Sequence, residues 1–366
     1  MSHAALGLAK LAGVLNRDLQ RVARAAGGPD ELWALPPRAL GKMLALSGGQ
    51  RRAADAVRGS FDPAAELAGL SARGIAFIPG SGLPLRLREI FDPPFGLFVA
   101  GNPAARALDE EQPTVAVVGA RRSTAGGADF ARRLGSGLAD RGARVISGLA
   151  HGIDAAAHAG ALDADGHTLA VLACGVDVVY PKRNRSLAQR VCVSGGLVSE
   201  YWLGTAPAPW RFPARNRIVS GLAHATVVVE AGERSGALIT ADFAAEHGRP
   251  VLAVPGAPWA AQSAGCNALL RAGAALCESV DDVVDELAGL RWRNASPEPA
   301  LDMSETARGA LEELRRDSLT VDQMGQALGL TPAETTATLS ELELAGLVVR
   351  EPGGRYVAAA AVPRTP

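Results

Sequence analysis

Only four cysteines occur in the 366 residues (Cys174, Cys192, Cys266 and Cys277), none in a CxxC pair. That spacing offers no disulfide framework and no zinc cluster. No GxxxxGK[ST] segment is present, so a P-loop nucleotidase is not expected. The GxGxxG spacing is missing, and Ser147-Gly148 stands where an NAD ribose would want an acid. No run of about 18 apolar residues is free of charge, which argues against a transmembrane helix. The opening MSHAALGLAK lacks the charged-then-apolar order of a secretory leader. With a reduced set of thiols, these absences predict a cytoplasmic protein with no membrane contact. Aromatic residues are scarce, at 4%, and the formal net charge is −1. Any polyanionic partner must therefore be met by a local patch.

What is present has a clear organisation. Residues 1–75 read as short helices broken at Gly27-Gly28-Pro29, Pro36-Pro37 and Gly48-Gly49, a small helical domain. Residues 76–110 read as a Pro/Gly-punctuated connector that packs on the next domain and adds an edge strand. From 111 to 290, short apolar runs alternate with helix-length amphipathic stretches. Strands are predicted at 114–118, 143–147, 168–173, 196–200, 225–230, 250–254 and 275–278. Their alternation with helices predicts an α/β fold: an extended Rossmann-like, doubly wound, mostly parallel sheet. Residues 291–303 form a polar linker. Residues 304–362 read as three helices and a small hairpin, a winged-helix-like domain, with Thr331-Pro332-Ala333-Glu334 as a helix start.

In such a sheet, ligands bind beyond the carboxyl ends of the strands. The segment after the first strand runs Gly119-Ala120-Arg121-Arg122 into a helix. Small residues, two cations and a helix N-terminus suit a phosphate. They equally suit a plain strand–helix turn with solvated arginines. After the second strand, Ser147 and Gly148 precede a helix capped by Asp154, and His151 and His158 read as structural. After the third come Tyr180, Lys182, Arg183, Asn184 and Arg185, three cations in four residues. After the fourth, a loop in which Trp210, Phe212, Arg215, Asn216 and Arg217 interleave rings with cations has the ingredients of single-strand binding, and it equally suits rings packed inside with the arginines paired to acids. After the fifth, Ser235 and Gly236 open another helix. Residues 121–220 hold 13 Lys/Arg against 7 Asp/Glu, a net of +6 at the ligand-binding end. No Ser/His/Asp set or metal cluster is apparent, so no catalysis and no cofactor are expected.

These stretches resemble the DNA-processing protein A (DprA/Smf) family. The carrying segments are Val117-Val118-Gly119-Ala120-Arg121, Ser147-Gly148-Leu149-Ala150-His151-Gly152-Ile153-Asp154, Tyr180-Pro181 with Asn184, Phe212-Pro213-Ala214-Arg215-Asn216-Arg217-Ile218, and Glu233-Arg234-Ser235-Gly236-Ala237-Leu238-Ile239-Thr240. The resemblance implies a non-catalytic mediator that binds single-stranded DNA, forms a homodimer through the Rossmann-like domain, and helps load RecA recombinase in natural transformation and recombination. It implies phosphate contacts from Arg121, Lys182, Arg185 and Arg215, with Arg217 facing either the pocket or an internal acid. Gly119, Arg122, Ser147, Gly148, Arg183, Asn216, Ser235 and Gly236 line the site, and Asn184 in the same segment orders its loop. Tyr180 and Phe212 are the base-stacking candidates. Where the family has Gly-Ser-Arg, Ala120 replaces the serine, removing one hydroxyl. The alternative is a nucleotide-processing enzyme of the lysine-decarboxylase-like phosphoribohydrolase type, superficially suggested by Glu230, Glu233 and Arg234. The Pro-Gly-Gly-x-Gly-Thr run of that group is missing. Residues 304–357 hold 5 Lys/Arg and 9 Asp/Glu. Phosphate repulsion by the third helix, with Glu334, Glu341 and Glu343, predicts a protein-binding role for this domain rather than duplex reading.

Overall fold

The computed structural model describes residues 3–101, 112–293, 304–345, 347–351 and 353–358. It forms two compact units, Met1–Asn294 and Ala295–Pro366. Most of the predicted 291–303 linker, and residues 102–110 of the predicted connector, lie outside the described residues.

The first unit is built on a nine-stranded sheet. Its strands are β1 (Ile75–Pro79), β2 (Gly96–Gly101), β3 (Thr114–Val118), β4 (Arg144–Ser147), β5 (Thr168–Val171), β6 (Gly196–Ser199), β7 (Ala225–Val228), β8 (Val251–Ala253) and β9 (Ala275–Leu276), in the order β1-β2-β6-β5-β4-β3-β7-β8-β9. The pairs from β6 through β9 are parallel, and β1 and β2 add an antiparallel edge. All seven predicted strands form. The connector supplies two strands where one was expected, with Phe77 opposite Phe98.

β3 shows why the sheet is covered on both faces. Its five residues are all buried. Val115 and Val117 join Leu134, Leu138 and Val227 on one side, while Ala116 and Val118 join Ile146, Val171 and Ile218 on the other. A strand apolar on alternate and intervening positions needs helices above and below it. The chain runs outward from β3 through β4, β5 and β6, then returns to β7 on β3's other side. The topological switch point therefore falls between β3 and β7, which is where a ligand crevice opens in this class of sheet.

One expectation is corrected. The stretch around Trp210–Ile218 is not a loop but the start of the helix Arg211–Leu222. Pro213 sits in its first turn, where a missing N–H costs nothing. The N-terminal helices pack around Leu8, Leu11, Leu32 and Leu40 and share one compact unit with the sheet. Arg211 Nη2 donates to Asn16 Oδ1 at 2.6 Å, Gln20 Nε2 donates to Glu200 Oε1, and Lys10 lies over the Trp202 ring.

The second unit contains the helices Glu305–Arg316, Val321–Leu328 and Pro332–Leu344, with a three-stranded sheet of β10 (Leu319–Thr320), β12 (Arg355–Ala358) and β11 (Val348–Arg350). This is a winged-helix arrangement around Leu311, Leu314, Leu339 and Leu342. Thr331 and Glu334 form the predicted capping box. Glu334, Glu341 and Glu343 are exposed. No described helix is long and apolar enough to cross a membrane.

Candidate nucleic-acid interface

Three chain segments distant in sequence meet beyond the carboxyl ends of β3, β5 and β6. Arg121, in the turn after β3, holds its guanidinium 4.9 Å from the centre of the Phe212 ring. Phe212, in the first turn of helix Arg211–Leu222, lies 5.6 Å from the Tyr180 ring. Tyr180 is 42% exposed and begins the basic segment that ends β5's connection. Arg121, Arg122, Lys182, Arg183 and Arg185 are all exposed. Among the described residues none of the five is ion-paired to an acid. Unpaired cations beside accessible rings offer charge to a phosphate chain and faces to its bases. Trp210 adds a further exposed ring, held edge-on to Tyr201 and under the Arg211 guanidinium at 4.8 Å.

Other predicted contacts turn inward. Arg215 is buried, and its Nη1 donates to Gly148 O at 2.9 Å and to Val171 O. A Cβ on Gly148 would meet that guanidinium within 2.3 Å, so Gly148 makes room for it rather than for a ligand. Arg217 is also buried. Its Nη2 donates to Glu200 Oε1 at 2.6 Å, and its Nε to Asp92 O at 2.8 Å. Both arginines sit on the helix Arg211–Leu222, where its face points into the protein. They are therefore structural cations, not surface phosphate contacts. Ser147 is fully buried, and its hydroxyl donates to Val117 O at 2.6 Å, stitching β4 to β3. It is not available to a ligand either.

Several residues shape the crest instead of contacting a ligand. Asn184 is buried and donates from Nδ2 to Leu149 O (2.9 Å) and Ala150 O (3.2 Å), fixing the turn after β4. Asp154 accepts from Gly148 N at 3.1 Å and Ala150 N at 3.2 Å. Burial pushes its carboxyl up, and the Arg215 guanidinium and those amides pull it back. Gly152 takes φ 77°, and a Cβ there would meet Ala120 O at 2.2 Å, so the turns after β3 and β4 close on each other. Gly119 lies against Ile153 and offers backbone only. Asn216 donates to Gly236 O at 3.2 Å, and Ser235 caps the following helix by accepting from Ala237 N.

The N-terminus of helix Ala125–Asp140, which suits a phosphate on sequence grounds, is already occupied. The Glu230 carboxylate accepts from Thr124 N at 2.9 Å and from the Thr124 hydroxyl. The sequence suggests Glu230 only as an acid of the phosphoribohydrolase alternative, not as a support for the crest. The signal was an acid directly after a buried strand, at the switch point.

His151 and His158 belong to no group of three or more metal-ligating side chains among the described residues. His158 is fully buried. Thr168 Oγ1 donates to Val145 O, so it accepts from His158 Nδ1–H at 2.7 Å. Burial, with the Arg215 charge nearby, pushes the imidazole down to about 3. The unfolded chain then takes up a proton below pH 6.5 that the folded chain refuses. Stability is accordingly full above pH 6.5 and falls on acidification, by about 1.4 kcal/mol per pH unit from this group. His224, pushed down to about 4, acts in the same sense. Denaturant titrations at pH 7 and 5 should show this loss, and His158→Gln should reduce the slope. An unchanged slope in the variant would contradict the assignment.

A cavity of about 380 Å³ lies in the seam between the N-terminal helices and the sheet, lined by Leu8, Leu19, Phe95, Tyr201, Trp202 and Arg211 among others.

Comparison with known proteins agrees with this architecture. The family model described as DNA recombination-mediator protein A matches residues 75–288, and a DprA winged helix domain model matches residues 294–354. The putative DNA processing protein DprA of Mycobacterium tuberculosis H37Rv is 46% identical over 282 residues, covering 75% of this chain and 71% of that protein. Protein Smf of Escherichia coli K12 is 39% identical over 279 residues, covering 74% of each. The solved structure of DNA processing protein A from Streptococcus pneumoniae aligns with TM-score 0.64 at 34% identity, over 78% of this chain and 98% of that one. The Helicobacter pylori protein, solved for its single-stranded DNA binding mode, aligns with TM-score 0.53 at 28% identity, over 59% and 96%.

Proposed function

The chain belongs to the DNA recombination-mediator protein A (DprA) family, and from that premise we propose that its crest holds single-stranded DNA without strong sequence specificity. The observation that carries this reading is the Arg121–Phe212–Tyr180 cluster, flanked by exposed cations from two turns. Rings can stack only on bases that are not already stacked on both sides in a duplex, so single strands are favoured. The cations take phosphates without reading sequence. The single-stranded DNA binding named for the Helicobacter pylori relative supports the same reading.

The protein acts without catalysis, in the cytoplasm, as a homodimer through the Rossmann-like domain. It delivers the bound strand to RecA recombinase during DNA uptake, natural transformation and recombination. The functional divisions are the helical segment 1–75, the DNA-binding core 111–290 and the winged-helix unit 304–362. The acidic third helix of that unit serves a protein partner rather than a duplex. The phosphoribohydrolase alternative loses its support, because the Glu230 carboxylate is committed to Thr124.

A mobility-shift series tests this. Single strands should bind more tightly than duplex of equal length, and log K should fall linearly with log salt, by about 0.7 per phosphate contact. Equal affinity for both forms, or a flat salt response, would reject the reading. A shorter lag in RecA assembly on a single strand is expected in the same conditions.

A further inference from the structure

We propose that Glu230 is a positioning residue for the DNA crest, bracing both ends of the arc that carries Arg121 and Arg122. The proposal rests on the single-strand reading above. The Glu230 backbone carbonyl accepts from Ala120 N at 2.7 Å. Its carboxylate accepts from Thr124 N at 2.9 Å and from the Thr124 hydroxyl. Arg121, Arg122 and Ser123 thus span two ties to one residue. Thr124 passes the constraint on, since its Oγ1 accepts from Gly127 N at 2.9 Å and caps helix Ala125–Asp140. The carboxylate lies so close to Gly127 that a Cβ there would come within 2.3 Å of Glu230 Cδ. On the other side, Ala120 O accepts from Ile153 N at 3.2 Å. The arc is fixed at its base while its two cations remain exposed.

The charge of Glu230 separates this role from its alternatives. A carboxylate on the rim repels phosphate, although the positive end of the helix offsets part of that cost. If its charge alone mattered, removing it would strengthen DNA binding. A brace behaves in the opposite way, because loss of the carboxylate frees the Thr124 end of the arc, loosens its cations and weakens binding despite the more favourable charge.

The experiment measures binding of a labelled oligothymidine to the full chain by anisotropy across salt. Glu230→Ala should bind about five- to tenfold more weakly, with a salt slope smaller by about 0.7, the equivalent of one phosphate contact. Glu230→Gln keeps an acceptor for Thr124 N and offers its amide to Thr124 Oγ1 without the charge. It should bind more tightly than the wild type. In an Arg121→Ala background, Glu230→Ala should lose most of its weakening effect, leaving Arg122 and the gain from removing the charge. Hydrogen exchange without DNA should show faster exchange at Thr124 in Glu230→Ala but not in Glu230→Gln, with Ala120 unchanged because its tie is to the backbone carbonyl. Should Glu230→Ala fail to fold, Thr124→Val removes the hydroxyl part of the same tie, with the helix cap, and should give a smaller loss in the same direction. Equal or tighter binding by the alanine variant overturns the proposal. So does an equal loss in both variants, or a loss with an unchanged salt slope. If the wild type itself does not bind single strands, the single-strand reading fails, and the exchange measurement still decides whether Glu230 braces the arc.

Discussion

Replacing Arg121 by alanine is expected to lower single-strand affinity ten- to a hundredfold at low salt, the largest effect of any single surface change. Two interactions go together. The guanidinium is free to meet a phosphate, and it lies 4.9 Å from the Phe212 ring that a base would stack on. Base–aromatic stacking is worth about 1–3 kcal/mol per base, and each 1.4 kcal/mol is a factor of about ten. Arg121→Lys keeps the charge but loses the planar cation over the ring, so it should fall between wild type and alanine. Phe212→Ala should weaken binding while leaving the salt slope unchanged, since it removes no charge. Anisotropy titrations across salt read all three. Wild-type affinity in Arg121→Ala would remove the crest from the mechanism.

The second large effect concerns stability, not DNA. Arg217→Ala should destabilise the first unit by about 3–5 kcal/mol, because it leaves the Glu200 carboxylate buried without its cation. The two side chains are 4% and 10% exposed. Glu200 Oε1 also accepts from Gln20, and Arg217 lies 3.4 Å from Asp92 Oδ2, so the pair anchors three segments. Burial already pushes the Glu200 carboxyl up, with Arg217 opposing it. Without Arg217 the folded pKa rises further above the unfolded value. The variant's deficit is then largest at neutral pH and shrinks as pH falls toward the carboxylate range. Thermal unfolding at pH 7.5 and 5 measures this. Below the unfolding temperature, single-strand binding and its salt slope should match the wild type. A reduced salt slope would instead make Arg217 a DNA contact.

The contrast between Arg121 and Arg217 marks how far the chain could be read before its fold was seen. The seven strands of the parallel sheet were legible because each is a short apolar run closed by glycine, proline or charge, and burial on both faces demands that composition. The second unit was readable for a similar reason, since its caps are local in sequence. The segment Trp210-Arg211-Phe212-Pro213-Ala214-Arg215-Asn216-Arg217 misled because its proline and charges suggest an exposed loop. Whether its arginines face water depends on partners far away: Asp92 and Glu200 for Arg217, Gly148 and Val171 carbonyls for Arg215. Nothing near them in the chain announces those partners. Glu230 was missed for the same reason, because Thr124 lies 106 positions earlier. The turn cations were legible as candidates, but only the fold could divide them into those left free and those spent inside.

The helix Arg211–Leu222 has a consequence for anyone reshaping this molecule. One end of it displays Phe212 to the crest, while Arg211 and Arg217 on the same rod reach Asn16 and Glu200 in the seam beneath the first helices. The opening seventy or so residues are thus a lid over the roots of the very rod that presents the ring. Trimming them to obtain a minimal core would lay open a charged seam and loosen the footing of the crest, so the smallest faithful fragment is the whole first unit.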